Sequence, residues 1–158
     1  MADQMAQLKE RVCWLLECGG AHRDFRSIVD EIPPQLRGRR LAGTDYTPWR
    51  LLEHMRRAQN DLLEYTRDPT YESPPYEEFW PDEDAPPSDN AWTDSVERFA
   101  ADNEAFRQLA AAPDTDLFAD PAHTGKGHTA LRQALIAADH NAYHLGELYA
   151  LCQALPKD

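Results

Sequence analysis

The chain has 158 residues, of which 42% are hydrophobic, and a formal net charge of −12. This length suits one ordinary domain with a real core, so residues 1–158 read as a single domain. The acidic balance works against gripping a phosphate backbone or an anionic membrane surface, so neither nucleic acid nor membrane is an expected partner.

No apolar run approaches the ~20 residues needed to cross a bilayer, and the polar start Met1-Ala2-Asp3-Gln4 lacks the charged and apolar regions of a signal peptide. Cys13, Cys18 and Cys152 have no metal-finger spacing and read as reduced thiols, which points to the cytoplasm.

Residues 3–17 place Leu8, Val12, Leu15 and Leu16 on one helical face. Cys18-Gly19-Gly20-Ala21-His22 weakens that helix. The paired glycines favour a kink or break, or let another backbone come close, and the helix can resume from Arg23 to Ile32 until Pro33-Pro34 stops it. His22, beside the weak point, is a candidate pocket neighbour, although a surface or structural histidine is the default. Residues 35–46 form a basic connector carrying Arg37, Arg39 and Arg40, read by default as a solvated loop.

Thr47-Pro48 is a helix start, with a capping hydroxyl followed by proline at the first helical position. The second helix, to about Thr66, shows Leu51, His54, Ala58, Leu62 and Tyr65 along one face, so His54 interrupts an apolar stripe. From Arg67 to Asp89 six prolines alternate with Tyr71, Tyr76, Phe79 and Trp80. The prolines exclude helix and the aromatics argue against a disordered linker, so an ordered covering loop is predicted. A connection of that length joins two helices running in the same direction. Its aromatics pack on the helices, or serve as a lid or dimer contact.

Ser88-Asp89-Asn90 offers cap residues for a third helix reaching Ala112, with Trp92, Val96, Phe99, Phe106 and Leu109 as its apolar side. The acidic segment 113–127 has no calcium-loop spacing. A fourth helix spans about Thr129 to Leu155. One of its stripes holds Ala137, His140, His144, Leu148, Leu151 and Leu155, and the other Leu131, Leu135, Ala138, Ala142, Leu145, Tyr149 and Cys152. It is therefore apolar on more than one face, as expected if a second subunit also covers it.

At ~3.6 residues per turn, His140 and His144 stand one above the other and can reach a single ion. The pair alone does not decide for a metal, since an imidazole in a seam can equally be a hydrogen-bonded core residue. Asn141 stands where a zinc protease needs a glutamate, which excludes that class. His54 adds a third imidazole from a different helix.

Pro48-Trp49-Arg50-Leu51-Leu52-Glu53-His54, the Trp80-Pro81 loop and His140-Asn141-Ala142-Tyr143-His144-Leu145-Gly146-Glu147 together resemble the DinB/YfiT-like superfamily of metal-dependent enzymes. The resemblance covers most of the chain in order. It implies an all-α four-helix bundle with up-down-down-up topology and a long ordered crossover between helices 2 and 3. It also implies a divalent ion, often nickel or zinc, on a histidine triad, and in many members a homodimer. His54, His140 and His144 match the triad positions. Relatives commonly carry glutamine where this chain has Glu147.

Three imidazoles leave an ion an open position, which is the catalytic pattern. Imidazole suits iron and manganese as well as nickel and zinc. The expected function is a metal-dependent enzyme acting on a small-molecule substrate, as a thiol-dependent transferase or isomerase with a small thiol cosubstrate, as the resemblance implies, or as a hydrolase. Glu147 and Asp139 are candidates to orient the rings or move a proton. The competing expectations are a metal-binding or structural dimeric bundle without catalysis, and an acidic interaction domain acting through the proline-rich loop.

Overall fold

Each of the four strong apolar periodicities becomes a helix, and part of the segment where the first was expected to resume becomes a separate fifth. A computed structural model describes residues 2–18, 20–120 and 126–155. Among these the α-helices are α1 Ala2–Leu16, α2 Phe25–Val29, α3 Pro48–Arg67, α4 Ala91–Ala111 and α5 Ala130–Ala154, with 3-10 turns at Pro34–Leu36 and Tyr76–Phe79. The all-α bundle of α1, α3, α4 and α5 is as expected, but five helices replace the expected four.

The first helix ends at the weak point instead of kinking through it. Cys18 turns the chain at φ 53°, a region unfavourable for a side chain, and α2 starts afresh where the Asp24 carboxylate accepts from the Ser27 amide at 2.9 Å. A Cβ on Gly20 would stand 2.4 Å from the Trp14 ring, so this glycine admits a side chain rather than a backbone. Gly19, and residues 121–125 of the acidic segment, lie outside the described residues.

The Thr47 cap forms as the sequence predicts, and Thr129 caps the other histidine-bearing helix. Thr47 Oγ1 accepts from the Arg50 amide and Thr129 Oγ1 from the Arg132 amide, each at 3.2 Å. Thr47 also donates to the Asp84 carbonyl at 2.6 Å, tying the start of α3 to the covering loop. Arg40 pairs with the Asp84 carboxylate at 2.6 Å and Arg37 lies 4.7 Å over the Trp92 ring, so the basic connector is engaged and not simply solvated.

Side-chain pairing sets the directions of the helices. Glu53–Ser95, Gln59–Phe99 and Asn60–Asp102 climb together, so α3 and α4 run the same way. Lys9–Ala112, Cys13–Arg107 and Leu16–Asn103 run in opposite order, so α1 opposes α4. His54–His140 and Tyr65–His128 set α5 against α3.

Because α3 packs on both α4 and α5, its buried arc centres on Leu52, Met55, Gln59 and Leu63. Ala58, Leu62 and Tyr65 are only half-buried. On α5, Leu145 and Cys152 are buried but Leu135 and Tyr149 are exposed. No helix among the described residues is long and apolar enough to cross a membrane.

Candidate metal centre

His54 projects from the second turn of α3, and His140 and His144 project from one face of α5. Because those helices run antiparallel, the rings meet. One nitrogen from each ring lies within 4.8 Å of the others, and no further histidine, cysteine or carboxylate among the described residues joins the cluster. His54 Nε2 and His140 Nε2 are 3.0 Å apart. His54 and His144 meet edge to face with ring centroids 4.8 Å apart, and His140 and His144 at 4.4 Å.

Hydrogen-bond partners decide which nitrogens carry protons. The Phe79 carbonyl can only accept, so His54 Nδ1, 3.2 Å away, donates to it and its Nε2 is left as a bare lone pair. His144 Nδ1 donates to Glu147 Oε2 at 2.7 Å, freeing its Nε2 in the same way. Tying the far ring nitrogen to a carbonyl or carboxylate is how metal-ligating histidines are oriented. His140 differs: its Nδ1 is buried without sound hydrogen-bond geometry, and the neighbouring Asn141 amide is the polar group beside it. A donor set of inward-facing imidazole nitrogens fits a divalent transition ion.

The electrostatics favour the neutral rings that coordination needs. Burial, and then the neighbouring imidazole, push His54 and His140 each down to about 4. Trp80 lies flat on His54 with ring centroids 3.7 Å apart, and Tyr46 stacks on Trp80 at 4.3 Å. The covering loop therefore closes one side of the cluster. Tyr143 is exposed and lies edge-on to His144 at 4.9 Å; a hydrogen bond to Glu147 pushes its phenol up. Beyond Glu147 and Tyr46 opens a cavity of about 460 Å3 lined also by Leu41, Thr44, Leu51 and Leu151.

The structure thus brings His54, His140, His144 and Glu147 together. It does not bring in His22, which is exposed and bonded to the Arg23 carbonyl, or Asp139, which is exposed beside Arg132, Leu135 and Ile136. Sequence reasoning gave no role to Glu53, a buried carboxylate that takes hydrogen bonds from Arg56, Arg57 and Ser95. Burial alone would raise its pKa, but these donors outweigh burial and hold it at about 2. Its spacing of three and four residues to the two arginines was a readable signal.

Convergent imidazoles inside a helical bundle define the class: this is a tri-histidine site able to bind a divalent metal ion. The chain belongs to the DinB superfamily, whose family model matches residues 20–148, a span that includes all three histidines. No curated protein and no solved structure matches the chain.

Proposed function

We propose that this protein is a divalent-metal-dependent enzyme acting on a small molecule, with His54, His140 and His144 as the ligands of a nickel or zinc ion. The observation that carries the reading is the set of three imidazole nitrogens within 4.8 Å, with no fourth histidine, cysteine or carboxylate of the described residues offering a ligand atom within that distance of all three. Three protein ligands leave room for a guest, whereas a structural site is closed by a fourth. When bound, such an ion supplies Lewis acidity toward a substrate thiol, carbonyl or water.

The remaining work falls to the chain itself. The Phe79 carbonyl and the Glu147 carboxylate hold the Nδ1 protons of His54 and His144 and so keep the Nε2 lone pairs turned inward. Trp80 and Tyr46 exclude water from one side. The Tyr143 hydroxyl, next to Glu147, is the group placed to hold or pass a proton. The cavity beyond Glu147 has Asp45 in its lining and no basic side chain, which suits a substrate with an apolar body and no strong negative charge.

Transfer involving a small thiol, or hydrolysis, is the reaction class proposed. The four long helices follow the up-down-down-up path of the family, with α2 as an addition within a single domain. Pairing of two copies across the exposed Leu135 and Tyr149 of α5 belongs to the same proposal, as does a cytoplasmic location, which Cys13, Cys18 and Cys152, as reduced thiols, favour.

The test is metal content of the purified protein and of His140→Ala, followed by a thiol-transfer and hydrolysis screen with and without chelator. A stoichiometric ion in the wild type, lost in the variant together with a chelator-sensitive activity, is expected. Undiminished metal content in His140→Ala overturns the site.

A further inference from the structure

Arg57 stands one turn after His54 on α3, and its hydrogen bonds go to Glu53 and to the part of the covering loop that meets the His54 ring. Its Nη1 donates to the Glu78 carbonyl at 2.8 Å and reaches the Trp80 carbonyl at 3.4 Å. These are the peptide carbonyls on either side of Phe79, whose own carbonyl takes the His54 Nδ1 proton. The next side chain, Trp80, is the indole lying flat on the His54 ring. A single guanidinium therefore fixes the segment that supplies both the hydrogen-bond partner and the stacking partner of His54.

The guanidinium is fixed in turn. Its Nε donates to Glu53 Oε1 at 2.9 Å, while Glu53 also binds Arg56 of the same helix and Ser95 of α4. Glu53 is buried, so the anchor is a carboxylate with three donors in a site of low water content, where charge-assisted bonds are strong. The planar fork of arginine lets one side chain bond the carboxylate through one nitrogen and the loop carbonyls through another, which a lysine cannot do.

We propose that Arg57 is a positioning residue of the metal centre: braced by Glu53, it sets the Phe79 carbonyl that fixes the tautomer and orientation of His54, and thereby tunes the affinity of the site for its ion. The metal arm of this inference rests on the function proposed above, while the tautomer arm does not.

The test compares the full-length wild type with Arg57→Ala, Arg57→Lys and Arg56→Ala. Arg56→Ala is the control, because Arg56 shares Glu53 but, among the described residues, hydrogen-bonds to no loop carbonyl. Long-range 1H–15N NMR on the metal-free protein reads the His54 tautomer, and zinc titration against a competing chelator reads affinity.

We expect the wild type and Arg56→Ala to hold His54 with its proton on Nδ1, and Arg57→Ala to show mixed tautomers. Loss of such an orienting partner weakens zinc binding about 10- to 100-fold. Arg57→Lys falls between the two and carries the test if Arg57→Ala does not fold. Wild-type tautomer and affinity in both Arg57 variants, or an equal loss in Arg56→Ala, overturns the proposal. A wild type that takes up neither zinc nor nickel but shows the Arg57-specific tautomer change sinks the proposed function and supports the positioning role.

Discussion

The two ends of the bundle bury polar groups in different ways. Around Phe106, the core is Val12, Leu16, Leu63, Ala110, Leu117, Ala130, Ala134, Ala137 and Ala138. Two buried polar side chains bond within their own helices: Thr66 donates to the Leu62 carbonyl, and Gln133 accepts from Arg132. Around His54, several polar side chains also bond between elements. Glu53 reaches α4, His54 reaches the covering loop and α5, and between the two ends the fully buried Gln59 binds Asn141 at 2.7 Å and the Phe99 carbonyl at 2.8 Å. Apolar packing is non-directional and sets how firmly the helices hold. Cross-element hydrogen bonds fix where they stop, and a cluster of imidazoles needs that registration.

Three changes separate the two roles. The largest effect is expected from Phe106→Ala at the apolar end. Emptying a fully buried aromatic site costs about 3–5 kcal/mol. Chemical denaturation should show this loss while the folded fraction retains wild-type metal stoichiometry. Metal loss from the folded protein would mean that the two ends are not separable.

The second change is acid. The carboxyl of Glu53 is held at about 2 instead of 4.5, so its contribution is complete above about 4.5 and is lost as pH falls toward 2. His54 and His140 are depressed from 6.5 to about 4, so the unfolded chain takes up protons first. Their neutral burial therefore costs stability as pH falls from about 6.5 to about 4. Unfolding free energy of the metal-free protein, measured across pH, should fall through both windows. Glu53→Gln should flatten the lower window and leave the upper one, and an unchanged lower window would refute the role given to Glu53.

The smallest effect is expected from Glu147→Gln. An amide oxygen still accepts from His144 Nδ1, but without charge, so metal affinity should weaken by about tenfold with little change in metal-free stability. Chelator competition reads the first and denaturant titration the second. Unchanged affinity would show that the Glu147 charge does not support His144.

Several features needed no coordinates. Thr47-Pro48 starts a helix because a hydroxyl acceptor precedes a helix-compatible turn, and His140 and His144 share a face because four residues nearly complete one turn. The same spacing separates the two carboxylate candidates. Glu147, three residues after His144, lies over its ring, whereas Asp139, adjacent to His140, points about 100° away. Asp139 is accordingly exposed, and Glu147 makes the bond.

By itself the sequence determined the helical segments, the covering loop and the three imidazoles, because period, caps and proline content are local properties of the chain. Tertiary structure alone decided that α2 stands apart, that the Phe79 carbonyl and the Trp80 ring meet His54, and that Glu53 is buried against Ser95. Those contacts join residues 25 to 42 positions apart, and local periodicity carries no information about which distant groups packing brings together.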